Sequence, residues 1–121
     1  MSSEKCIYQV LHVSDVSKLG IPIALRFGRS FYNLQYLELA AIKVENLPAD
    51  FALNVPNVRI LNLSFNSLKD ITPIRGMTLL KRLFLIGNRL STLSDGTTET
   101  LLTLIELQVL DLRFVVLLLP L

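Results

Sequence analysis

The sequence predicts an α/β solenoid in which short parallel strands line a concave face and 3₁₀ or short helical turns form the convex face. Three observations predict it. Leucine fills 27 of 121 positions, more than a core of mixed aliphatic and aromatic side chains requires, and a composition so skewed points to a repeat. A nine-residue pattern recurs, as Val58-Arg-Ile-Leu-Asn-Leu-Ser-Phe-Asn66 and again as Leu80-Lys-Arg-Leu-Phe-Leu-Ile-Gly-Asn88. Between these copies apolar residues stand at Leu68, Ile71, Ile74, Met77 and Leu80, a spacing of about three that suits a tight helical turn.

The nine-residue pattern is L-x-x-L-x-L-x-x-N, the strand segment of a leucine-rich repeat. Its first copy starts at Tyr8, with Leu11, Val13 and Val16 in register. The second starts at Leu34, with Leu37 and Leu39 inward and Ile42 at the asparagine position. The third and fourth start at Val58 and Leu80, and the fifth at Leu107, with Leu110 and Leu112 inward and Val115 where asparagine belongs. Starts at 8, 34, 58, 80 and 107 are separated by 26, 24, 22 and 27 residues, which predicts about five repeats in a single array over 1–121. In each strand alternate side chains face opposite ways, so Leu61 and Leu63 enter the core while Asn62 faces out. One repeat cannot bury its leucines alone, whereas stacking makes a continuous core.

Asn66 and Asn88 are structural, because an amide side chain can satisfy backbone groups that the turn leaves without partners. Isoleucine or valine at that position cannot, so the turns at Val16, Ile42 and Val115 are expected to be looser unless water or neighbours substitute. On the convex side Pro73 and Gly76 punctuate the spacing-of-three stretch. Ser94 to Thr100 is expected to be a polar loop, leading into a helical turn through Leu101, Leu102 and Leu104.

Composition removes several classes of function. A single cysteine, Cys6, allows no intramolecular disulfide and points to a reducing compartment, with Cys6 itself an edge or cap residue. The longest apolar run, Val115 to Leu121, falls far short of the roughly 20 residues needed to span a bilayer, and the N-terminus has no secretory apolar segment. Net charge is +2, with basic residues scattered along the chain, so no nucleic-acid footprint is expected. The lone His12 has no nucleophile or metal-ligand companions. No enzyme, metal or cofactor is expected.

Function in such a solenoid resides on the concave sheet. The third motif position supplies Val10, Tyr36, Ile60, Arg82 and Val109, and the fifth supplies His12, Glu38, Asn62, Phe84 and Asp111. Tyr36, Glu38, Ile60, Asn62, Arg82, Phe84 and Asp111 are the candidate protein-binding residues, with Phe84 and Arg82 as anchors, since aromatic and arginine side chains dominate interfaces. The same rows also satisfy the β propensity of a sheet, so both readings stand on sequence alone.

One stretch has a more particular wording: Leu47-Pro-Ala-Asp-Phe51, then Pro56 through Asn66, Leu68-Lys-Asp-Ile-Thr-Pro-Ile74, Leu83 through Leu90, and Leu110-Asp-Leu-Arg113. From Leu34 to Phe114 the chain resembles the leucine-rich repeat domain of the fungal scaffolds of the septation initiation, or mitotic exit, network, to which animal centriolin is distantly related. The resemblance implies a non-enzymatic platform at the spindle pole body of the cytoskeleton, tethering regulators of a small GTPase and the downstream kinases that time mitotic exit and cytokinesis. The expected location is cytoplasmic; an intracellular leucine-rich repeat regulatory subunit, phosphatase-regulator-like or dynein-light-chain-like, is the alternative. The family pattern would resume after Arg113 with another turn and further repeats. Here an apolar tail, 115–121, follows instead, so the array reads as C-terminally incomplete: either a fragment whose last residues come from a read-through intron, or a short isoform. Without a polar cap the end is expected to self-associate.

Overall fold

A computed structural model describes residues 10–12, 31–90 and 95–115. The readings made on Cys6, Tyr8, Val13, Val16, the His12 side chain and the tail beyond Val115 lie outside the described residues. Among the described residues five three-residue strands form one sheet in chain order: β1 (Val10–His12), β2 (Tyr36–Glu38), β3 (Ile60–Asn62), β4 (Arg82–Phe84) and β5 (Val109–Asp111), all neighbours parallel. Each strand begins two residues after a motif start, and Leu11, Leu37, Leu61, Leu83 and Leu110 are register partners. The ladder runs past the strands into the turns. Leu39, Leu63 and Leu85 donate their N–H groups to Asn62, Phe84 and Asp111 carbonyls at 2.8, 2.8 and 2.9 Å. Ala41, Phe65 and Gly87 repeat the bond two residues on, to Ser64, Ile86 and Arg113.

The core lies behind the sheet. Leu37, Leu39, Leu61, Leu63, Leu83 and Leu85 are fully buried, each stabilising the fold by roughly 1.5–3 kcal/mol. On the convex side stand α1 (Phe51–Asn54), a 3₁₀ helix (Thr72–Ile74) and α2 (Asp95–Thr103). Pro73 sits within the 3₁₀ turn, and Ile71, Ile74, Met77 and Leu80 all bury as the spacing of three requires. The segment expected as a polar loop is helical from Asp95. Thr97 and Thr100 are buried against the array while Thr98 is exposed, and the Thr100 and Thr103 hydroxyls donate to the Gly96 and Thr100 carbonyls at 2.7 and 2.6 Å. Arg75 pairs with Glu99 at 2.8 Å, and Gly76 N–H donates to Thr103 Oγ1 at 2.9 Å, fastening α2 to the 3₁₀ turn.

The turns carry a second regularity. The eighth motif position, just before the asparagine site, holds Ala41, Phe65, Gly87 and Phe114, with φ of 56°, 58°, 72° and 57°. Glycine accepts this left-handed conformation freely, while other residues lose about 1–2 kcal/mol. Gly87 is also needed for space, since a Cβ there would meet Phe65 Cδ1 at 2.9 Å. Gly87→Ala is therefore expected to destabilise by about 1–2 kcal/mol in urea unfolding. Part of that loss should disappear when Phe65 is also changed to glycine; equal losses in both backgrounds would show that the ring plays no part.

The expected looseness at Ile42 is not found. Asn66, one repeat further on, places Oδ1 3.1 Å from Ile42 N and 3.0 Å from Val44 N, and donates from Nδ2 to the Leu39 carbonyl at 3.0 Å. A neighbour's amide thus completes the turn that isoleucine cannot. Asn88 does the same for the third turn, accepting from Leu68 N at 3.0 Å and donating to the Leu63 carbonyl at 2.9 Å.

Candidate protein-binding face

Strand register sets Tyr36, Ile60, Arg82 and Val109 in one row and Glu38, Asn62, Phe84 and Asp111 in the next. With strands about 4.8 Å apart, the seven candidate residues form one continuous patch across β2 to β5. Arg82 is exposed, and Tyr36, Glu38, Ile60, Asn62, Phe84 and Asp111 are half-buried.

These residues differ in what the fold already asks of them. Asn62 Oδ1 accepts Ser64 N–H at 3.0 Å, and Asp111 Oδ1 accepts Arg113 N–H at 3.1 Å. Both side chains therefore brace the start of the turn. Phe84 occupies the equivalent place and cannot, so Ile86 N–H turns to Ser64 Oγ of the preceding repeat at 3.2 Å. That substitution leaves Phe84 no turn-bracing bond of its own to make. Asp111 also grips the Arg113 guanidinium, Nε at 3.0 Å and NH2 at 2.8 Å, which holds its carboxyl below the usual range. Tyr36 donates its hydroxyl to Glu38 Oε2 at 3.0 Å, and burial together with that bond raises the phenol pKa. Glu38 Oε1 is buried without a hydrogen-bond partner. Asn66 and Asn88 are buried in the turns, not on the face.

Sequence reasoning missed Arg59 and Lys81. They precede β3 and β4, and the N–H groups of Lys81 and Arg82 both donate to the Arg59 carbonyl, at 2.7 and 3.0 Å, so three basic residues 22 or 23 positions apart in sequence become neighbours. Reading the second motif position across the copies would have found them. Among the described residues no three His, Cys, Asp or Glu side chains gather as metal ligands would, and no helix is long and apolar enough to cross a membrane.

The parallel ladder, the inward leucines and the asparagine turns fit a leucine-rich repeat solenoid, and residues 32–90, just under half of the chain, match the family model described as Leucine rich repeat. Among individual proteins, the chain is similar to the septation initiation network scaffold protein cdc11 of Schizosaccharomyces pombe, with 37% identity over 75% of this chain and 9% of that protein. It is also similar to trophoblast glycoprotein of Macaca fascicularis, at 39% identity over 67% of the chain and 20% of the relative. A third is the leucine-rich repeat-containing G-protein coupled receptor 5 of Rattus norvegicus, at 31% over 59% and 8%. The chain thus spans a fifth or less of each relative's length.

Proposed function

We propose that the chain is a non-enzymatic protein-binding module of a septation initiation network scaffold, one array of five repeats starting near 8, 34, 58, 80 and 107. The observation that carries this reading is the 37% identity to cdc11, supported by a contiguous sheet face on which Phe84 and Arg82 stand clear of turn bracing. In this reading the face of Tyr36, Glu38, Ile60, Asn62, Arg82, Phe84 and Asp111 holds a protein partner, a small-GTPase regulator or kinase of the network, and the whole scaffold works at the spindle pole body. Exposed Leu102, Ile105, Leu110 and Phe114 support self-association of the 121-residue polypeptide through its last repeat, so light scattering should give more than the monomer mass. A monodisperse monomer would count against that.

The central test is a segment exchange in the fission-yeast scaffold, with this chain replacing the matched 91 residues. Septation is expected to be retained by the exchange and lost when F84A and R82A are added, at unchanged protein level. A chimera indifferent to both substitutions would remove the concave-face reading.

A further inference from the structure

We infer that the concave face takes an acidic protein segment, an extended stretch in which carboxylate side chains sit beside apolar ones, seated on Arg59, Lys81 and Arg82. This deepens the proposed function and rests on its concave-face reading. The backbone brings the three residues together at one carbonyl, that of Arg59, which accepts from the main-chain N–H groups of Lys81 and Arg82. Arg59 and Arg82 are exposed, Lys81 is half-buried, and among the described residues none of the three has an ion pair or side-chain hydrogen bond. Elsewhere the cations Arg75 and Arg113 are neutralised by Glu99 and Asp111. Across β3 and β4 the positive charge of Arg59, Lys81 and Arg82 is matched by no described carboxylate, and a partner's carboxylates complement it there.

The surroundings set the character of that partner. Ile60 lies beside Arg82 in register and Phe84 beside Asn62, so apolar surface is available within the same two strands. On β2 the side chains are Tyr36 and the acid Glu38, and on β5 Asp111 is already matched by Arg113. Positive charge thus spans only two strands, about 5 Å apart. That width suits two or three carboxylates with an apolar neighbour; it does not suit the long phosphate line of a nucleic acid, whose binding needs an extended basic stripe.

The test uses the 121-residue chain and fluorescein-labelled nonapeptides that alternate leucine with glutamate, glutamine, phosphoserine or lysine, read by fluorescence anisotropy. The glutamate probe should bind about tenfold more tightly than the glutamine probe at low ionic strength, and the advantage should shrink to about twofold or less at ~0.5 M salt, where exposed charges are screened. This comparison needs no variant. The R59E/K81E/R82E variant, with an unchanged circular dichroism spectrum, should prefer the lysine probe, whereas K43E/K69E/R89E should keep the original order. Equal binding of glutamate and glutamine probes overturns the inference. So does a phosphoserine probe, a phosphatidylserine vesicle or a DNA duplex that outbinds glutamate more than tenfold. If F84A abolishes chimera function while the R59E/K81E/R82E reversal leaves it intact, this inference fails and the concave-face reading survives.

Discussion

Replacing Asn66 with valine is expected to lower stability by about 2–6 kcal/mol, since two buried amides lose their acceptor at about 1–3 kcal/mol each. The amides belong to Ile42 and Val44, and the same side chain also donates to the Leu39, Leu63 and Ser64 carbonyls, at 3.0, 2.8 and 3.3 Å. Valine fills similar space but offers no polar atom, so two turns fail together: the one Asn66 belongs to and the one before it. Domains hold only about 5–15 kcal/mol in total, so the variant should show a strongly reduced urea midpoint. Asn88→Val should lose less, because Asn88 Oδ1 accepts one amide, that of Leu68, where Asn66 accepts two. An N66V midpoint within ~0.5 kcal/mol of the parent would mean that water replaces the side chain in the turn.

Phe51→Ala should lose about 3–5 kcal/mol, the usual consequence of removing a buried aromatic ring and leaving a cavity. Phe51 is fully buried and, among the described residues, is the bulkiest fully buried side chain. It opens α1, where its N–H donates to the Pro48 carbonyl at 3.0 Å, and its side chain belongs to the core cluster. A four-residue helix has almost no stability of its own, and its place depends on that ring. Phe65→Ala is the contrasting substitution. Phe65 is 62% exposed and its backbone is left-handed with either residue, so its change in urea midpoint should correspond to ~0.5 kcal/mol or less. Comparable losses for Phe51 and Phe65 would contradict the burial argument.

Much of the architecture was legible because this repeat writes its strands locally. Period-two leucines at Leu37 and Leu39, or Leu61 and Leu63, are buried as the alternation requires, and the spacing of three from Leu68 to Leu80 brackets the 3₁₀ turn. The helix at Asp95–Thr103 was not legible. Glycine and four threonines lower intrinsic helix propensity, and the segment is helical because Thr97 and Thr100 pack against the array while hydroxyls bond within the helix. Tertiary packing overrode a local preference there.

The candidate face divides in the same way. Its rows, Tyr36 to Asp111, follow from counting motif positions, and the register bears out the alignment of those rows. Which side chains are occupied could not be counted. Asn62 and Asp111 turned out to brace the following residues, and Ser64 took over that work where Phe84 stands.

By itself the sequence determined the repeat, the parallel strands and the inward leucines, because side-chain alternation and turn chemistry act within nine residues. Only the tertiary structure decided that Asn66 completes the turn at Ile42, 24 residues away, and that Arg59, Lys81 and Arg82 are neighbours across β3 and β4. Both depend on how one repeat stacks upon the next, and stacking brings together residues that the local code keeps more than twenty positions apart.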